Sequence, residues 1–191
     1  ALVSANILPI YGVLYLGWDA YLLFLLFWTE TIVISLYTIL KIILSHRWGS
    51  VLIVPFFIAV VGVVLLVHFV FITVVILYLQ QFFDFGQIHS YETIGHQFLT
   101  IMPGILVLVF SHGVSFFVNY IKRHENNNHT ASDYTKTVLH RIVIMHTAIL
   151  MFSFLGPLFP SIIFLTCLMT VKIIFEIRAH KNEHSITLIR N

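Results

Sequence analysis

Ser111-His112-Gly113-Val114-Ser115-Phe116-Phe117-Val118-Asn119-Tyr120 lies inside an apolar run long enough to cross a bilayer, yet it carries polar side chains at regular intervals. His112, Ser115 and Asn119 are spaced i, i+3, i+7, so a helix puts them on one face. Polar groups are costly in hydrocarbon and face protein or a water-filled cavity. The other helices are therefore expected to be arranged around this face.

Composition sets the frame. The 191 residues are 59% hydrophobic and 9% charged, whereas a soluble domain is roughly 25% charged. A water-soluble core is therefore set aside. With 18 Phe and 8 Tyr the chain has too much apolar bulk for disorder. A formal charge of +2 gives no ground for a nucleic-acid partner. Cys167 is the one cysteine, which excludes an internal disulfide and any multi-cysteine zinc or iron–sulfur site. The first residue is Ala1 rather than Met, so an incomplete or processed start is expected. Polar residues in the first apolar segment argue against a cleavable signal peptide.

A spanning helix needs roughly 20 apolar residues, and six segments qualify or nearly do: 1–16, 20–44, 51–80, 96–121, 137–155 and 158–178. The expected fold class is all-α, a polytopic integral membrane bundle of six transmembrane helices forming one domain. Gly17-Trp18-Asp19 reads as a tight turn with an interfacial Trp. All 10 Lys and Arg fall at or near alternate connections or in the tail, while Asp19, Asp84 and Glu92 lie in the connections between. The positive-inside rule then makes 122–136 a cytoplasmic loop and 179–191 a cytoplasmic tail, with both termini cytoplasmic in a multi-pass cell-membrane protein. Asn128-His129-Thr130 matches a glycosylation sequon, but this topology puts it on the wrong side. No internal repeat of the kind many transporters carry is visible.

Depth narrows the candidate site residues. At about 1.5 Å per residue, Glu30, His112 and His146 each lie on the order of 13–17 Å from the cytoplasmic ends of their helices. Lys172 lies at about 9 Å and His68 at about 20–25 Å. Two His and a carboxylate at one level could hold a divalent transition metal, with His68 or water completing the site. The plainer alternative is that these groups hydrogen-bond between helices and fix the packing. His112 and His146 could also ligate haem from two sides, although nothing else specifies a porphyrin pocket.

His180-Lys181-Asn182-Glu183-His184 fits the H-x-x-E-H zinc pattern, which would use His180 and His184 as ligands. It sits in a polar tail with no evident third ligand, where a solvated helix end is the simpler reading. Lys172 and Glu176 read as an i,i+4 pair near the interface, with snorkelling an alternative for Lys172. Arg141 is expected to pair with Glu176 or with lipid phosphate. Ser115 lacks the G-x-S-x-G elbow of a nucleophile. With Asn119, these residues complete the candidate polar cluster.

Asn6-x-x-Pro9-x-x-Gly12, Gly17-Trp18, Trp28-x-Glu30, the Ser111–Tyr120 stretch, Arg141-x-x-x-x-His146 and Lys172 with His180 follow one another in a distinctive order. That order resembles an uncharacterised family of prokaryotic multi-pass membrane proteins, a domain of unknown function. One departure is Thr31, where the family's pattern would have Asn. The resemblance implies a multi-pass helical architecture and lends no activity.

Three functions follow as expectations. The first is a structural or accessory subunit of a membrane complex, with the lipid bilayer and another membrane protein or a second copy as partners. The second is a metal- or haem-binding membrane enzyme. The third is a small transporter or proton-coupled channel.

Overall fold

A computed structural model describes residues 2–44, 53–80, 91–122, 131–155, 163, 165–167 and 169–174. The described residues are helical apart from the turn between the first two helices, and they contain no strand. The helices are α1 (Leu2–Tyr15), α2 (Ala20–Leu44), α3 (Ile53–Gln80), α4 (Tyr91–Ser115), α5 (Ala131–Leu155) and a shorter apolar helix, α6 (Leu165–Ile174). α4 continues directly into a π-helix, Phe116–Lys122. Both α4 and α5 begin within stretches that hydropathy reads as polar connections. Backbone hydrogen bonding sets where a helix starts, and it extends beyond the apolar residues. Among the described residues, three helices are long and apolar enough to cross a membrane, over Ala20–Leu44, Ile53–Val74 and Gly95–Lys122.

The turn between α1 and α2 is built by three successive residues. Gly17 takes φ 66°, a left-handed conformation that costs glycine little and ends helices. The Gly12 carbonyl accepts from both the Leu16 and Trp18 amides, which closes the end of α1. Asp19 then caps α2, its Oδ1 accepting from the Leu22 amide at 2.9 Å.

Burial pushes the Asp19 carboxyl above its ordinary value, against the pull of the Leu22 and Tyr21 amides. A carboxyl raised in the fold gives stability that is full below its unfolded pKa and is lost as pH rises through the folded one. Asp19→Asn keeps a capping oxygen without the charge, so its melting temperature at neutral pH should equal or exceed the native one. Asp19→Ala should lose about 1 kcal/mol. Thermal denaturation in detergent compares the two.

Trp18 folds back from this turn into the protein, with 5% of its surface exposed. A Cβ on Gly12 would stand 2.3 Å from its ring, and one on Gly104 would stand 2.9 Å from Leu26 and 3.5 Å from Trp18. The two glycines thus let α1, α4 and the indole approach closely.

The expectation that the bundle is arranged around the Ser111–Tyr120 face is corrected here: the central element is α2. In its apolar window 61% of residues are buried, against 22% in the windows of α3 and α4. It packs against α3, α4 and α5. Leu23, Phe24, Leu25 and Leu26 are all closed off, so four successive residues pointing in four directions each meet protein. By contrast, α3 exposes Phe56, Val63, Leu66, Val67 and Val70 along its length. The physical reason is that polar side chains on a single face need only one protein neighbour, whereas α2 buries apolar side chains in every direction around Leu23–Leu26 and carries a buried carboxylate, Glu30, that takes its partners from other helices.

Candidate functional site

Glu30 stands near the middle of α2 among hydroxyl residues, none of which serves it. Thr29 donates to the Leu26 carbonyl, Thr31 to that of Phe27 and Ser35 to that of Thr31. These hydroxyls are satisfied within their own helix. The carboxylate must therefore find its partners elsewhere.

The strongest partner comes from α6. Lys172 Nζ lies 2.8 Å from Glu30 Oε2, a charge-assisted hydrogen bond, with side-chain exposures of 17% and 8%. The same ammonium sits 4.7 Å from the centre of the Phe27 ring. Phe27 and Glu30 are i, i+3 on α2, so one face of that helix offers a carboxylate and an aromatic face to a single cation.

From α4, His112 Nε2 approaches Glu30 Oε1 at 3.8 Å, too long for a direct hydrogen bond. Arg141 of α5 is near enough for its charge to act on the carboxylate as well. Four helices thus contribute one ionisable group each to a single buried locus.

Below this locus the Ser111–Tyr120 stretch fits α2 through Tyr37. The Tyr37 hydroxyl donates to the Val109 carbonyl at 3.1 Å, and a Cβ on Gly113 would lie 2.7 Å from that hydroxyl. Gly113 is therefore a site of close approach, a role the sequence reading missed; the available signal was a glycine inside an apolar helix. Asn119 donates to Ser115 at 3.2 Å across the start of the π-helix. Tyr120 donates to the Lys41 carbonyl at 2.6 Å, while Lys41 Nζ lies 5.8 Å and 5.2 Å from the Tyr120 and Tyr134 ring centres. These contacts tie the end of α2 to the π-helix and α5.

His146 is not part of this cluster. Its ring packs edge-on to His68 of α3 at 5.1 Å between centres, and against Phe71 at 4.9 Å. The matched depth of Glu30, His112 and His146 does not bring them together as a three-ligand set. Among the described residues no three His, Cys, Asp or Glu side chains converge to hold a metal ion. Depth is one coordinate, and the direction each helix faces is another. Around α5, His146 is turned to α3 while Arg141 acts on Glu30.

His68 is itself unusual. Its side chain is 1% exposed, and neither Nδ1 nor Nε2 has a hydrogen-bond partner. An unsatisfied buried polar group costs about 1–3 kcal/mol. Glu176, His180 and His184 lie outside the described residues.

An all-helical bundle of apolar helices with an ion pair buried at its centre is the class of protein that this fold and site define. The chain belongs to DUF6498, a family of unknown function that it matches over residues 1–188. The resemblance drawn from the order of its motifs is met to that extent: a family without an assigned function covers nearly the whole chain. No curated protein and no solved structure matches it.

Proposed function

We propose that this chain is a six-span integral membrane protein of the cell membrane, both termini cytoplasmic, serving as a structural or accessory subunit of a membrane complex. The observation that supports the reading is the Glu30–Lys172 pair. Carboxylate and ammonium neutralise one another directly across α2 and α6, with His112 at the other oxygen. A cluster closed on itself in this way suits fixing which helices pack together, the best-attested use of buried charge.

The apolar outer faces of α3 and α4, with Phe56, Leu66, Leu99, Leu106 and Phe110 exposed, suit contact with lipid or with a neighbouring membrane protein. The distribution of Lys and Arg supports the topology.

Single cysteines placed in a Cys167→Ala background test the topology. Trp48→Cys and Asn127→Cys should react with a membrane-impermeant thiol reagent only from the cytoplasmic side, and Asp84→Cys only from the opposite side. Labelling in the reverse pattern would sink it. For the accessory role, protein cross-linked in its native membrane should migrate as a stoichiometric assembly. Monomeric migration throughout would count against that role and leave the topology standing.

A further inference from the structure

The contacts between α2 and the α4 end of the bundle run along one line. His112 approaches Glu30. Tyr37 donates to the Val109 carbonyl and sets its ring 5.6 Å from that of Phe116. Tyr120 donates to the Lys41 carbonyl. On α2, Tyr37 and Lys41 each lie within about 20° of Glu30 around the helix, so that side of the seam is straight under ordinary winding.

The other side is straight only because the winding changes. An α-helix turns about 100° per residue, so eight residues of it would leave Tyr120 about 80° round from His112 and off α2. A π-helix, with i→i+5 bonds and about 4.4 residues per turn, advances only about 80° per residue. With that winding from Phe116 onwards, Tyr120 returns to within about 10° of His112. The wide segment thus acts as one extra residue in the helix. It is braced by the Tyr120 hydroxyl on Lys41, by the Phe116–Tyr120 stack at 5.3 Å and by the Asn119–Ser115 hydrogen bond.

We propose that Phe116–Lys122 is a two-state rotary joint at the end of α4. Wound as a π-helix it holds Tyr120 on α2; rewound as an α-helix it turns Tyr120 by about 70° and releases the Lys41 carbonyl. Both windings satisfy the backbone within the helix, so the change is a rotation rather than a local unfolding. Tyr120 also meets Tyr134 of α5 edge-on at 6.3 Å, and Lys41 Nζ lies near the faces of both rings. Rewinding therefore frees the start of α5 as well. Residues before Phe116 keep their places, so the Glu30 cluster is undisturbed and the joint is independent of the role proposed for it.

Full-length protein carrying a trifluoromethyl probe on Ile121→Cys, in a Cys167→Ala background, is followed by fluorine NMR in lipid nanodiscs. Ile121 is exposed and lies beyond the centre of the joint. On cooling into slow exchange two lines are expected. Tyr120→Phe keeps the ring and deletes the hydroxyl, and should move their ratio about fivefold towards the rewound state, the worth of one net hydrogen bond. Deletion of Val118 removes the extra residue, leaves Tyr120 on α2 under α-helical winding, and should give one line. A single native line at every temperature, or a ratio that Tyr120→Phe leaves unchanged, would overturn the joint whether or not the deletion variant folds. Two lines persisting in the native ratio after the deletion would overturn it too.

Discussion

Lys172→Met lowers the stability of the purified protein by about 3 kcal/mol, the expected result of leaving a carboxylate buried without its ammonium. Methionine nearly preserves the length and apolar stem of lysine, so lost packing contributes little. The figure is placed at the low end of the range for broken buried pairs because Lys172 keeps 17% of its side chain exposed. Glu30→Gln should cost less, since the lysine left behind can reach towards the interface.

The double variant Glu30→Leu, Lys172→Met removes both charges and should recover most of the loss, as replacement of buried pairs by apolar residues does elsewhere. Thermal denaturation of the four proteins in one detergent makes the cycle. A double variant whose loss is the sum of the two singles would mean the pair is not coupled. His112→Gln, at 3.8 Å from the carboxylate, should fall well short of Lys172→Met in the same assay.

The second large effect is expected at Gly12. Gly12→Ala should destabilise by about 2–3 kcal/mol through overpacking. Helix propensity alone favours alanine by about 1 kcal/mol, so the sign depends on the space available. Three atoms of the Trp18 ring would lie 2.3, 2.4 and 2.8 Å from the new Cβ, and a rigid indole has no flexible end to move aside. Trp18 must leave its site or α1 must shift. Trp18→Leu in the same chain should relieve the clash, making the double variant more stable than the sum of the two losses. Tryptophan emission moving to the red in Gly12→Ala would report expulsion of the ring. An unchanged melting temperature would rule out the tight packing of α1 on this turn.

Apolar length made α2, α3 and α4 legible, because a long apolar run has few other uses. The turn at Gly17-Trp18-Asp19 was legible for a related reason: a glycine free to turn left-handed and a capping aspartate each have a strong local preference. The partner of Lys172 was not. Counting residues placed it shallower than Glu30, and Glu176 stood closer in sequence. A lysine spans several ångströms, enough to cross that difference in level. The pairing of His146 was hidden for another reason, since depth was counted along its helix while its direction depends on neighbours set by the whole bundle. The spacing of His112, Ser115 and Asn119 assumed α-helical winding, and from Phe116 the chain winds more widely as a π-helix. Nothing local in the sequence indicates that the Trp28 Nε1 donates to the Leu65 carbonyl of α3.

The distance along the chain between the two ends of the central ion pair has a consequence for how the protein is made. Glu30 leaves the ribosome roughly 140 residues before Lys172, which at about 5–20 residues per second is a delay on the order of ten seconds. In a membrane-inserted chain that interval would be spent with an acidic side chain in hydrocarbon and its amine not yet synthesised. His112 and Arg141 emerge in between, so the carboxylate meets its neighbours in the order imidazole, guanidinium, ammonium. In order of synthesis α6 thus supplies the closing contact of this cluster, the 2.8 Å approach of Lys172 to a carboxylate that His112 and Arg141 have already met.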